Sequence, residues 1–125
     1  MSDDWTQIRG RVAAMDTASV VRALRSTVGI TLTQAMVGVP DRSRVESWAA
    51  GTGETPTASE AARIRLGHAL WLNVAAHEGA STALSWLVGS NPWLGDATPV
   101  TAIREGREAE VVQAVHALVD DRGGS

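Results

Sequence analysis

The chain has 125 residues, enough for one compact domain or for two small subdomains that share a core. Hydrophobic residues make up 44% of the chain and charged residues 20%, a balance that excludes disorder over the whole length. The net charge of −3 argues against a protein that coats nucleic acid, and the absence of cysteine excludes disulfides, thiolate metal sites and cysteine nucleophiles.

The charges are distributed unevenly along the chain. Residues 1–66 hold eight Arg and seven acidic residues, a balance of +1, whereas residues 67–125 hold three Arg and seven acidic residues, a balance of −4. The polar first ten residues contain no apolar signal region. Residues 79–95 are uncharged, but their Pro, Gly and Ser residues do not suit a membrane span. We therefore expect a cytoplasmic protein that does not associate with membranes.

Apolar spacing predicts helices along nearly the whole chain, and no segment alternates as a convincing strand would. The first helix is predicted to begin at Thr17 or Ser19, and a short helix follows within residues 29–39. Asp41 is a natural N-cap for the next helix, and Gly51 is a natural end for it. The predicted fold class is all-α.

A longer helix is predicted to follow the loop of residues 51–56. Thr57 and Glu60 have the spacing of a capping box, and the helix should extend to about Glu78. The residues of this helix are apolar on nearly all of its sides, which is typical of a central, buried helix. Its predicted inward stripe consists of Ala62, Leu66, Leu70 and Val74.

Shorter helices are predicted in the last third of the chain. Ser81 is predicted to cap one of them. Thr98 should cap another, with Pro99 at the first helical position and Gly106 at its end. A final helix is predicted over residues 107–120, with valines along one side.

No enzyme signature is complete in this sequence. The glycines of residues 51–56 fail the dinucleotide fingerprint, because Pro56 occupies the final glycine position and no strand precedes them. The chain has no lysine for a phosphate loop. His68, His77 and His116 lack metal-site spacing and are expected to be partly exposed. We therefore expect no catalytic residue, no metal, no cofactor and no small-molecule substrate.

Residues 32–51 have the pattern of a helix-turn-helix. Val45 and Trp48 lie three residues apart and should pack inward. An arginine on the outer face of the second helix can donate two hydrogen bonds to a guanine edge. In the alternative interpretation, these arginines only solvate an ordinary surface helix. Two features weaken the DNA-binding interpretation: the turn is one residue longer than usual, and nearby acidic residues reduce the positive charge. The candidate DNA-binding residues are Arg42, Ser43, Arg44 and Ser47.

Residues 86–106, WLVGSNPWLGDATPVTAIREG, followed by EVVQAVHALVD, resemble the C-terminal toxin-binding domain of the Xre/MbcA/ParS antitoxin family. Residues 38–56, GVPDRSRVESWAAGTGETP, resemble the degenerate helix-turn-helix in front of that domain. The resemblance covers residues 28–120. The positions that carry its C-terminal part are Trp86, Asn91, Pro92, Leu94, Gly95, Pro99, Gly106 and Val111.

The resemblance implies an Xre-like helix-turn-helix and dimerisation region in residues 1–78 and a toxin-binding domain in residues 79–125. Members of this family are antitoxins of two-gene systems, and the partner is typically a RES-domain toxin that degrades NAD⁺. The C-terminal domain docks on the toxin and blocks its active site. The resemblance also implies a homodimer, and in some members the N-terminal region binds operator DNA of its own operon.

The expected toxin contacts lie in the Asn-Pro turn and beside the following short helix. They are Asn91, Trp93, Leu94, Asp96, Arg104 and Arg107. Two ordinary alternatives stay open: Trp93 covers the small core from outside, and the two arginines stabilise a helix C-terminus. At the level of the whole chain, the alternatives are a helix-turn-helix regulator without a toxin partner and a small helical adaptor that uses the Trp93 region.

Overall fold

The computed structural model describes residues 2–123, and side chains are described for residues 4–120. Within these residues the structure is all-helical and contains no strand, which confirms the predicted fold class. Its helices are α1 (Ser2–Ala14), α2 (Thr17–Val28), α3 (Ile30–Val37), α4 (Arg42–Ala50), α5 (Ala58–Glu78), α6 (Ala80–Val88), α7 (Pro99–Arg104) and α8 (Glu108–Gly123). A 3-10 turn, Pro92–Leu94, lies between α6 and α7.

Helix α5 is the centre of the fold, and α1, α2, α3, α6, α7 and α8 all pack against it. The predicted capping box begins this helix: Glu60 N donates to Thr57 Oγ1 at 3.1 Å, and Thr57 N donates to Glu60 Oε1 at 2.9 Å. Leu66, Leu70 and Val74 are buried as predicted. The prediction is wrong for Ala62, which is exposed: it lines a surface depression between α5 and the α7–α8 connection and does not pack in the core.

Helix α1 was not predicted from the sequence. Ile8 and Val12, one turn apart, are its buried apolar residues, and they pack in the same core as α5. The guanidinium of Arg65 on α5 donates to the carbonyl oxygen of Val12 and so ties the end of α1 to the central helix. Two buried positions in a polar run give too weak a periodic signal for a sequence-based prediction.

Single glycines join consecutive helices at two points. Gly29 connects α2 to α3 with φ of 89°, and Gly79 connects α5 to α6 with φ of 91°. A side chain is strained at such angles, so glycine suits both positions. The predicted cap at Ser81 is wrong, because α6 already begins at Ala80 and Gly79 itself occupies the N-cap position.

One hydrophobic core connects the two predicted parts of the chain. It extends from Ile8 on α1 to Val119 on α8, and α3 packs on α7 across the predicted boundary after residue 78. The division into residues 1–78 and 79–125 stays a functional prediction, because the core is continuous across it. None of the helices in residues 2–123 has the length and apolar content needed to cross a membrane.

Candidate functional site

Three large apolar side chains are exposed in the described part of the chain. Leu84 is 37% exposed, Val88 53% and Trp93 56%. Leu84 and Val88 lie one turn apart on α6 and therefore share a helix face. Trp93 follows five residues after Val88, in the 3-10 turn, and no residue from 79 to 95 carries a charge. We call Leu84, Val88 and Trp93 the apolar surface; exposed apolar side chains such as these are candidate contacts for a protein partner.

A network of hydrogen bonds fixes the turn that presents Trp93. The side-chain oxygen of Asn91 accepts from Trp93 N at 2.9 Å, and the main-chain oxygen of Asn91 accepts from both Leu94 N and Asp96 N at 2.9 Å. Gly95 and Asp96 both adopt positive φ, at 63° and 69°. Leu94 is only 1% exposed and anchors the turn in the core. Trp93 is thus held at the surface on a well-defined backbone.

The structure places the six predicted toxin contacts in different environments. Asn91 and Leu94 are buried and hold the turn from inside, whereas Trp93, Asp96 and Arg104 are exposed. Arg107 is half-buried. Contact with a toxin stays a prediction for all six, and in the isolated chain the exposed three are accessible to a partner.

Arg107 connects the start of α8 to the Trp93 turn. Its Nη2 donates to the carbonyl oxygen of Leu94 at 3.0 Å, its Nε and Nη2 each donate to Glu110 at 3.0 Å, and its Nη1 lies 3.3 Å from Glu105 Oε1. These hydrogen bonds, first with Glu110 and then with Glu105, raise the pKa of Arg107 above its usual value. The hydrogen bonds from Arg107 in turn lower the pKa of Glu110. Arg107 is therefore a permanent cation that braces the turn.

Replacing Arg107 by methionine is expected to loosen the Trp93 turn without unfolding the chain. The variant loses the hydrogen bond to Leu94 O, and the amides of residues 94–96 should exchange with solvent about fivefold faster, the factor for one ordinary hydrogen bond. The midpoint of thermal unfolding should barely move, since surface ion pairs contribute little. Hydrogen exchange by NMR measures the effect, and Arg104→Met is the matched control. Unchanged exchange of the amides of residues 94–96 would contradict the role of Arg107 in stabilising the Trp93 turn.

Helices α3 and α4, joined by a short turn, occupy the segment predicted to be a helix-turn-helix. Gly38 ends α3 in the left-handed region with φ of 83°, and Asp41 caps α4 by accepting from Ser43 N at 2.9 Å. Val45 and Trp48 are buried at 0% and 3% exposure, as predicted. Helix α2 packs against both helices and supports them from inside. The outer face of α4 is therefore the face on which Arg42 and Ser43 are exposed.

The candidate DNA-binding residues differ in how free they are to contact a ligand. Arg44 donates to both carboxylate oxygens of Glu60, at 3.0 and 3.1 Å, and its guanidinium lies 5.0 Å from the centre of the Trp48 ring. Arg42 is exposed and lies 4.0 Å from Glu46. Ser43 is exposed, and Ser47 is half-buried. The side chain of Arg42 is 64% exposed and that of Arg44 is 37% exposed, so Arg42 is the more accessible cation. DNA contact stays a prediction for all four residues.

The Arg44–Glu60 pair makes the stability of the chain depend on pH. Burial raises the pKa of Glu60, but the hydrogen bond from Thr57 N and the charge of Arg44 outweigh it and hold the pKa below its ordinary value of 4.5. A lowered folded-state pKa stabilises the fold above the ordinary value, and this contribution is lost as the pH falls through the lowered value.

Replacing Glu60 by glutamine is therefore expected to destabilise the fold by about 1 kcal/mol at pH 7, the value of one such bond. The difference from wild type should shrink as the pH falls below 4.5 and disappear once the pH is below the lowered pKa of Glu60 in the folded chain. Urea unfolding at pH 7, 5, 4 and 3 measures it, and Glu54→Gln in the exposed loop is the control. A pH-independent difference would show that the charge of Glu60 is unimportant.

The histidines do not converge on a chemical centre. His68 is 5% exposed, so the expectation of partial exposure is wrong for it, because α5 is surrounded by other helices. This burial lowers the pKa of His68. His77 lies 3.7 Å from Asp4, and the ring of His116 is nearly perpendicular to that of Trp5, with the ring centres 6.0 Å apart. In residues 4–120 no group of three His, Asp or Glu side chains could hold a metal ion.

Comparison of this chain with protein-family models, with curated proteins and with solved structures gives no match. The likeness to the antitoxin family therefore rests on the sequence pattern of residues 28–120 alone.

Two features of this surface had no place in the sequence-based prediction. The first is the exposed face of α6, on which Leu84 and Val88 lie. Their spacing of four residues, with a serine next to Leu84, is the sequence signal that could have predicted an exposed apolar face. A groove of about 390 Å³ also lies between α3, the following turn and Arg104 of α7. No local signal could indicate it, since its walls are more than sixty residues apart in the sequence.

Proposed function

We propose that this chain is a protein-binding antitoxin, which neutralises a RES-domain, NAD⁺-degrading toxin by docking on it and blocking its active site in the cytoplasm. The observation that carries the protein-binding part is the apolar surface of Leu84, Val88 and Trp93, exposed on an uncharged segment. The identity of the partner rests on the resemblance of residues 86–106 to the toxin-binding domain of the Xre/MbcA/ParS family.

The geometry of the turn supports Trp93 as the anchor of this surface. Tryptophan is among the residues that contribute most to binding energy at protein interfaces. A side chain on a backbone already fixed by Asn91 and Leu94 loses less conformational entropy on binding than one on a loose loop. The alternative, in which Trp93 only covers the core, predicts a smaller exposed fraction than the 56% found.

Co-expression with the product of the adjacent gene tests the proposal. The neighbour alone should deplete cellular NAD⁺ and stop growth, and this chain should restore both and co-purify with the neighbour. The double variant Leu84→Asp, Val88→Asp places two charges on the exposed face of α6 and should abolish rescue. A matched control, Gln113→Asp on the exposed side of α8, should rescue fully. A harmless neighbour that does not bind would overturn the antitoxin proposal.

The proposal includes self-association through residues 1–78, which the resemblance implies. Sedimentation equilibrium on the isolated chain measures it, and a monomer at all concentrations would remove this part without affecting toxin binding.

A helix-turn-helix regulator is the second candidate, because the capped α4 exposes Arg42 and Ser43 on one face. The acidic residues beside it, Glu46 and Glu60, compensate much of the positive charge, which favours the antitoxin over it. DNA from upstream of the gene provides the test. Affinity that falls on Arg42→Ala favours a regulator or a dual role, and complete indifference to DNA favours protein binding alone.

A further inference from the structure

The groove between α3 and α7 combines polar and apolar residues with a single arginine. Thr31, Gln34 and Ala35 of α3 form one wall, the turn of residues 38–40 forms the floor, and Arg104 closes the other side. None of its lining residues is acidic. Its volume of about 390 Å³ is within the range of pockets that hold ligands, ~300–1,000 Å³.

Arg104 is held over this groove by its aliphatic part. A Cβ atom at position 38 would lie 2.9 Å from Arg104 Cγ, so the glycine at this position leaves room for the arginine to lie across the turn. Gln34 Nε2 donates to the carbonyl oxygen of Pro40 at 3.0 Å and closes the same turn from the α3 side. The charged end of Arg104 is thereby positioned at the rim of a partly apolar groove.

The charge of Arg104 is not compensated within the described part of the chain. Its guanidinium has no hydrogen bond or ion pair with a residue from 4 to 120. Four other arginines each lie within 4.0 Å of a carboxylate; they are Arg9, Arg42, Arg44 and Arg107. A planar guanidinium beside apolar surface suits a carboxylate, which it can bind through two parallel hydrogen bonds.

We infer that the α3–α7 groove binds an acidic segment of a partner protein, with an Asp or Glu side chain on Arg104 and an adjacent apolar side chain against Ala35 and Val39. The groove shares no residue with the apolar surface. Arg104 is one of the six predicted toxin contacts, so the inference, which rests on the proposed function for the partner, deepens it by naming the acidic chemistry that this residue recognises. A nucleic-acid backbone fits the groove less well, because phosphate binding relies on several cations and the groove lining has one.

A peptide library tests the inference without any knowledge of the partner. The probe is a positional-scanning set of nine-residue peptides, acetylated and amidated so that they carry no terminal charges. The chain should select Asp or Glu at one position with Leu, Ile or Val beside it. Replacing that acidic residue by its amide should weaken binding at least tenfold, as should Arg104→Met. Arg11→Met, which removes an exposed arginine from α1, is the control and should have no effect.

Two further variants test whether peptide binding depends on the groove itself, and not on the overall charge of the chain or on a loss of folding. Arg104→Glu should reverse the selection from acidic to basic peptides. Thr31→Trp should block the groove from its exposed rim and weaken the peptide at least tenfold with Arg104 still present. Thermal unfolding of each variant verifies that the fold is retained.

Several results would overturn the inference: a library without acidic selection, wild-type peptide affinity in Arg104→Met, or wild-type affinity in Thr31→Trp. A 25-base-pair duplex that binds through Arg104 while no peptide competes would assign the groove to nucleic acid instead. Because these experiments involve no toxin, a failure of the antitoxin proposal leaves their outcome unaffected, and the reverse also holds.

Discussion

Replacing Trp93 by alanine is expected to weaken binding of the protein partner at least thirtyfold and to leave the thermal unfolding midpoint nearly unchanged. Trp93 is 56% exposed, so the truncation removes little buried area from the fold. An interface tryptophan at the centre of a binding surface typically contributes ~2 kcal/mol or more, which corresponds to about thirtyfold in affinity. Calorimetric titration of the purified partner measures the change.

The design of this measurement rests on the turn that carries Trp93. The hydrogen bond that Asn91 accepts involves the main-chain nitrogen of residue 93, so it is retained when the side chain is shortened. Gln113→Ala, on the exposed side of α8, is the control and should bind as wild type. An affinity within threefold of wild type for Trp93→Ala would contradict the role of Trp93 as anchor.

Local signals in the sequence account for what could be predicted about the fold. Asp41, Thr57 and Thr98 each cap a helix where predicted, because an N-cap requires only one side chain and the next three residues. Pro99 likewise begins α7 as expected. The prediction was wrong for the exposure of Ala62 and His68, because the exposure of a residue is set by helices that are distant in the sequence. It was also wrong for the cap at Ser81, where the local signal was weak.

The candidate sites depend more strongly on contacts that no sequence pattern shows. Arg44 was predicted as a ligand-binding cation, but the pairing with Glu60 is set by the packing of α4 near the start of α5. Arg107 was predicted as a partner contact, and the structure shows that it also braces the turn through Leu94 O. Such contacts join residues 13 and 16 positions apart that lie in different structural elements, so periodicity and capping rules contain no information about them.

The core position of Leu94 gives the second large effect. Replacing Leu94 by alanine is expected to destabilise the fold by about 3 kcal/mol and to lower the unfolding midpoint by about 10 °C, since a fully buried leucine is lost and the cavity only partly collapses. Leu84→Ala makes the same chemical change at 37% exposure and should have a much smaller effect. Urea unfolding of both variants provides the comparison.

This pair of variants also separates two roles that the sequence pattern could not separate. If Leu94 acts from the core, its loss loosens the backbone that fixes Trp93, and the amides of residues 93–96 exchange faster even without a partner. Leu84→Ala should leave those amides unchanged and should weaken the partner directly, since its side chain lies on the apolar surface. Equal stability losses in the two variants would show that Leu94 is not the anchor of the turn. In that case, the fixed position of Trp93 would depend on Asn91 and Arg107 alone.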